Sequence, residues 1–170
     1  MSDLLQLARE GLMIEAEGIY SLIDKLDNKF VQAVEMILSS KGRLIVASAD
    51  ESGIMAHKLA TIFNSTGTPA LVMHDGLMVS PGDVVLVLSD GSEIEKLNTT
   101  LSNIECLGAS LIILADRLDS MLVKSNAVII DVSVPRETCP LALVPMASTT
   151  ATLAMGNALA VALFTQRSWI

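Results

Sequence analysis

Aromatic residues are scarce in this chain, only 3% of its 170 residues: one Trp, one Tyr and three Phe. Hydrophobic content is nevertheless 51%, so the core must be built from Leu, Ile, Val, Ala and Met. That composition favours buried parallel strands and closely packed helices over a β-sandwich. Basic residues are also few. Eleven Lys and Arg stand against 19 Asp and Glu, a formal net charge of −8, which gives the chain no electrostatic reason to seek nucleic acid or an anionic membrane. The same shortage leaves few cations to hold a phosphorylated ligand.

Reactive and metal-binding groups are sparse as well. The two cysteines, Cys106 and Cys139, have no CxxC spacing, and the two histidines, His57 and His74, have no HxxxH or HExxH companion, so no metal site is expected. GxGxxG and P-loop fingerprints are missing, and with them the signal for a dinucleotide or nucleoside triphosphate; no cofactor is expected. Met1-Ser2-Asp3 is polar and acidic where a secretory leader would be basic and then apolar, which points to a cytoplasmic protein with reduced thiols. One stretch is long enough to span a bilayer: Leu141 to Phe164 carries no charge. Pro145 and the Ser148-Thr149-Thr150 cluster cut that run, and Gly156-Asn157 fall in the middle of the helix that follows. A buried core or interface helix is the expectation there.

What is present is periodic. Leu5, Ala8, Leu12, Ile19, Leu22 and Leu26 recur at helical spacing, with Arg9, Glu10, Glu15 and Glu17 between them. Asp27-Asn28 breaks the run, and a second helix with Phe30, Ala33, Val34, Met36 and Ile37 ends near Gly42. Short apolar runs then alternate with helical patterns. Strands are expected at Leu44–Ala47, Ala70–Met73, Asp83–Leu88, Leu111–Leu114 and Val128–Ile130. Helices are expected at Gly53–Phe63, at Ser92–Leu107 behind a Ser92/Glu95 capping box, and from about Ser148 to Thr165. The chain therefore reads as one domain: helices over 1–41 and an α/β core over 42–170. Five strands alternating with helices specify a three-layer α-β-α sandwich around a five-stranded parallel sheet in the flavodoxin-like order 2-1-3-4-5. In such a sheet a ligand sits beyond the carboxyl ends of the strands where the order reverses. Here that point lies between the loops Ser48–Gly53 and Ser89–Glu93.

Those loops carry the candidate site. Ser89, Gly91 and Ser92 offer donors beside a helix start, as a phosphate requires, or as an ordinary N-cap with a turn glycine requires. Ser148, Thr149 and Thr150 bring three hydroxyls to the start of the last helix, either for a ligand or as caps of a buried helix. In the first loop Ser48 and Ser52 flank Asp50 and Glu51, two carboxylates that suit the first turn of a helix and oppose a phosphate. Glu93 and Glu137 adjoin loops at the ligand edge and are candidate acid/base groups, or solvated surface carboxylates.

Several segments in order resemble the SIS (sugar isomerase) domain of arabinose-5-phosphate isomerases. They are Ile14-Glu15-Ala16-Glu17-Gly18-Ile19, Gly42-Arg43-Leu44-Ile45-Val46, Ser65-Thr66-Gly67-Thr68-Pro69, Glu137-Thr138-Cys139-Pro140-Leu141, Ser148-Thr149-Thr150-Ala151 and Gly156-Asn157-Ala158-Leu159-Ala160-Val161-Ala162-Leu163. The resemblance implies the SIS fold, a homotetramer, and interconversion of ribulose 5-phosphate and arabinose 5-phosphate for the lipopolysaccharide sugar Kdo, by proton transfer through an enediol. CBS domains often follow in that family; none is expected here.

The departures cluster at the site. The family's Gly-x-Gly-Lys-Ser-Gly is here Ser48-Ala49-Asp50-Glu51-Ser52-Gly53, so the lysine held to be catalytic falls on Glu51. The family's His-Pro-x-Glu-Ala-x-His-Gly-Asp-Leu-Gly shrinks to His74-Asp75-Gly76 running into Leu77-Met78. The phosphate loop Ser-x-Ser-Gly-x-[Ser/Thr]-x-Glu shortens to Ser89-Asp90-Gly91-Ser92-Glu93, and the family's His-Pro-Gly-Gly segment lies past Ile170. Exchanging lysine for glutamate reverses an interaction of roughly 4 kcal/mol for a charge pair about 4 Å apart at an effective dielectric near 20. A kept scaffold with altered loops implies a sugar-phosphate- or sugar-nucleotide-binding protein with weak or no isomerase activity, regulatory in role, homodimeric or homotetrameric, and a candidate partner of a full-length isomerase. The second reading is an active aldose-ketose isomerase with rearranged groups. The discriminating feature is a cation at the phosphate site, with Lys58, Lys96, Arg117 and Arg136 as candidates and Arg136, next to Glu137, the foremost by position.

Overall fold

The computed structural model describes residues 2–48, 53–73, 79–89, 103–117, 126–139 and 144–168. Helix α1 spans Ser2–Ser21, and a single 3-10 turn follows at Ile23–Lys25. The break expected at Asp27-Asn28 has a local cause. Asp27 adopts an extended backbone and its carboxylate accepts the Lys29 N–H at 2.8 Å, capping helix α2, Asn28–Ser39. Capping satisfies a donor that the helix start leaves without a partner. The core then runs through β1 (Leu44–Ser48), α3 (Ile54–Ser65), β2 (Ala70–Val72), β3 (Val84–Ser89), β4 (Ser110–Ala115), β5 (Val128–Asp131) and α4 (Ala147–Ser168). All expected strands are present, shifted by a residue or two at their ends. Of the helix expected over Ser92–Leu107, the described part is the turn 103–106; its Ser92 start lies outside the described residues.

The sheet is parallel throughout, in the order β2-β1-β3-β4-β5. Its strands are unbroken Val, Ile and Leu runs because both faces are covered. Period-two alternation sends Leu44, Val46, Leu86, Leu88, Ile112 and Leu114 to one face, with α2, α3 and α4. Ile45, Val85, Val87, Leu111, Ile113 and Ala115 go to the other, with Val79 and Ile104. Helix α4 runs through the first layer, with Ala151, Met155, Leu159 and Leu163 buried against α3 and the sheet. By length and composition it could cross a membrane, yet half of that window is buried inside the protein, as a helix that is apolar all round is when it belongs to a core.

The apolar stripe of α1 is largely left uncovered. Leu22 is buried, but Leu5, Leu12 and Ile19 are 62%, 70% and 40% exposed. The face that packs inward is instead the small and polar one carrying Gly11, Glu15 and Gly18.

At the amino ends of the strands, Gly42 and Asp83 form the floor of the sheet. The Gly42 N–H donates to the Gly82 carbonyl at 3.2 Å. A Cβ at Gly42 would lie 2.5 Å from that oxygen and 2.6 Å from both Asp83 N and Asp83 Oδ1. Backbone atoms cannot move aside as a side-chain tip can, so Gly42→Ala is expected to lower stability by about 1–3 kcal/mol, the usual cost of overpacking, measurable as a lower urea midpoint at unchanged slope.

Candidate functional site at the carboxyl edge of the sheet

β1 lies between β2 and β3, so the chain reverses direction of winding at β1/β3. There Ser48 ends β1 opposite Leu88, and Ser89 ends β3 opposite Ala115. Ser89 is buried, and its carbonyl accepts the Asp116 N–H at 3.3 Å. Met55 of α3, Ser89, Asp116 at the end of β4, and Ser148, Thr149 and Thr152 of α4 line a small hollow of about 10 Å³, room for about one water. The structure thus brings Ser89, Ser148 and Thr149 together, with Ser48 on the neighbouring strand end. Ser52, Gly91, Ser92 and Glu93, as well as Asp50, Glu51 and His74, lie outside the described residues.

The first turn of α4 is organised by Glu137. Helix starts leave N–H groups without intrahelical acceptors. Here the Met146 and Ala147 N–H groups donate to Glu137 Oε2, each at 2.9 Å, and the Ser148 N–H donates to Oε1 at 3.1 Å. Burial alone would push the Glu137 carboxyl up. The hydrogen bonds from the Ser148 side chain and from these N–H groups outweigh it and hold the pKa below the ordinary glutamate value. The neighbouring hydroxyls are engaged too: Thr149 donates to the Pro145 carbonyl, and Thr150 donates to Glu15 Oε2 at 3.0 Å. An ionised side chain of the protein therefore occupies the helix start at which an incoming anion would otherwise dock.

Among the described cations near this edge, Lys25 and Arg136 are committed elsewhere; Lys96 lies outside the described residues. Lys25 Nζ donates to Asp131 Oδ1 at 3.2 Å, to the Ser133 carbonyl at 2.7 Å and to the Ser133 hydroxyl, tying the 3-10 turn to the end of β5. The Asp131 carboxyl is held low: burial raises it, and the Ser133 side chain and N–H together with Lys25 lower it further. Arg136 faces α1, with Nη2 2.9 Å and Nε 3.1 Å from Glu17 Oε2. Lys58 is exposed on α3, as is His57, and Arg117 is exposed just beyond β4. Sequence reasoning did not single out Asp116, Thr152 or Glu15 as site residues. Asp116 had a usable signal, a carboxylate directly after an apolar strand. Glu15 had only its place in a segment that resembles the family, and its partner is 135 residues away.

The SIS domain model matches residues 37–162, and the chain belongs to the SIS domain family. It is 37% identical over 174 residues to the arabinose 5-phosphate isomerase KdsD of Pseudomonas aeruginosa, covering 98% of this chain and 53% of that protein. Against KdsD of Escherichia coli K12 the identity is 36%, with the same coverage. The chain thus spans about half the length of the curated relatives it matches. The structure of E. coli CFT073 c3406 in complex with arabinose 5-phosphate superposes with a TM-score of 0.88 at 28% identity, covering 99% of this chain and 94% of that one. The protein is an SIS domain related to arabinose 5-phosphate isomerases.

Proposed function

We propose that this domain binds a sugar phosphate or sugar nucleotide, with arabinose 5-phosphate as the reference ligand, and turns it over weakly or not at all, in a binding or regulatory role. The observation that carries this is Glu137. A carboxylate that accepts three N–H groups at a helix start and is held below its ordinary pKa is a poor proton carrier near neutral pH, because catalytic efficiency favours a pKa close to the operating pH. In this reading Ser48, Ser52, Ser89, Gly91 and Ser92 seat the phosphate. Ser148, Thr149 and Thr150 shape the sugar end, and Glu93 and Glu137 are what remains of the acid/base pair. Arg117, at the carboxyl end of β4, replaces the lost lysine charge. We read residues 1–170 as one cytoplasmic domain that forms a homodimer or homotetramer. Its pathway context is Kdo and lipopolysaccharide synthesis, with a full-length isomerase as a candidate partner.

The expected result of an arabinose 5-phosphate isomerase assay with added divalent metal is turnover at least about a hundredfold below the typical enzyme rate of about 10 per second. A rate in the ordinary range would establish the second reading, an active isomerase with rearranged groups. The 37% identity over 98% of the chain to an isomerase is the observation that favours that alternative.

A further inference from the structure

Helix α1 presents two faces of opposite character. On the inner face, Gly11, Glu15 and Gly18 follow one another at spacings of four and three, which aligns them along one side of a helix. A Cβ at Gly11 would stand 3.3 Å from Thr138 Cγ2, and one at Gly18 would stand 3.1 Å from Val134 Cγ1. The helix backbone therefore lies flush on the 132–139 segment. Glu15 accepts the Thr150 hydroxyl at 3.0 Å, and Glu17 pairs with Arg136 at 2.9 Å. These contacts bracket the Glu137 joint: Arg136 and Thr138 are its chain neighbours, and Thr150 lies in the turn of α4 whose N–H groups it holds.

On the outer face, Leu5, Leu12 and Ile19 recur at every seventh residue, flanked by Met13 and Tyr20 and continued by Ile23 and Leu26, all 40–71% exposed. An apolar seam of this period is what one helix offers another. These side chains expose on the order of 800 Å², comparable with the ~800 Å² that each partner contributes to a standard interface. A second copy of the chain fits this face, because a two-fold axis brings the same seam to itself.

We propose that α1 transmits assembly to the site: a second copy covering its outer seam holds its inner face on the Glu137 joint, so that the first turn of α4 opens less often in the assembled protein than in a single chain. The proposal rests on the oligomer and ligand-edge readings above. Glu15 is then a positioning residue, acting through Thr150.

The test combines sedimentation velocity with amide hydrogen exchange at Ala147 and Ser148, without ligand, on the full chain and on Leu12→Glu, Glu15→Ala and Glu15→Gln, all checked for native circular dichroism. Leu12→Glu is expected to dissociate the protein and to speed exchange at both amides at least tenfold. Glu15→Ala is expected to speed exchange in a protein that stays assembled. Glu15→Gln, which keeps an acceptor for Thr150, is expected to restore protection. A dissociated Leu12→Glu protein with unchanged protection overturns the coupling alone. A wild-type chain that sediments as a monomer, or a Leu12→Glu protein that stays assembled, removes the outer-seam reading and the proposal with it. Failure of the ligand reading is seen separately, as absence of arabinose 5-phosphate binding by calorimetry, and does not affect the exchange result.

Discussion

Replacing Asp83 by Ala is expected to cost about 1–3 kcal/mol, the range for leaving buried donors without an acceptor, read by urea denaturation at neutral pH. Asp83 is only 2% exposed. Its Oδ2 lies 2.6 Å from Arg43 Nη2 and accepts the Ser80 N–H at 2.9 Å, while Oδ1 accepts the Arg43 N–H at 2.8 Å and Arg43 Nε at 3.2 Å. Alanine would strand two backbone donors, the Arg43 and Ser80 N–H groups, at the floor of the sheet, where the entry to β1 meets the entry to β3. The same contacts predict a pH dependence. The Arg43 side chain above all, then the Arg43 and Ser80 N–H groups, overcome burial and bring the Asp83 carboxyl from 3.8 down to about 2. A carboxyl lowered on folding contributes stability that is complete above its unfolded value and is lost as pH falls through its folded value. The contribution, on the order of 2 kcal/mol, should therefore be intact above about pH 4 to 5 and vanish toward pH 2. The Asp83→Ala protein should show a correspondingly flatter decline between those limits. An equal decline in both proteins would mean that Asp83 is not the titrating group.

Glu137→Ala is expected to cost about 2–4 kcal/mol, since it removes the acceptor of three N–H groups, and hydrogen bonds to a charged group are worth more than neutral ones. Glu137→Gln keeps an acceptor oxygen but loses the charge at the helix start, a loss of about 1–2 kcal/mol. The sign with pH follows from the lowered carboxyl: wild-type stability from this group is full above the ordinary glutamate value and falls away below it. The Gln variant should lack that component. Stability alone does not distinguish a cap from a proton carrier, so the residual isomerase rate is measured on both variants. If Glu137 is the organiser of α4, Gln retains most of any residual turnover and Ala loses it with the fold of the turn. If Gln abolishes turnover at near-native stability, Glu137 is the acid/base group and the active-isomerase reading prevails.

The five strands and their order were legible before any coordinates, because both faces of a parallel sheet are apolar and the runs stand out as uninterrupted Val, Ile and Leu. The kink at Asp27 was legible from its composition, and the core position of α4 from the Pro, Ser and Gly-Asn that interrupt its apolar run. SIS membership followed from short segments in order. What local pattern determines is which residues are apolar and where backbone turns. It does not say what covers an apolar face. The α1 stripe has helical periodicity either way, and only the packing of Gly11 and Gly18 on Thr138 and Val134 shows that the small residues face inward and the leucines outward. The hydrogen bonding of Glu137 was decided in the same way. In the chain it is a carboxylate near a loop; its three N–H partners lie nine to eleven residues on, and their approach depends on the path from β5 to α4. Glu15 is further still from Thr150, joined to it only when α1 lies across α4. Hydrogen-bond partners at such separations are set by how layers stack, and stacking is a property of the whole molecule, whereas strand and helix propensity are settled within a few residues.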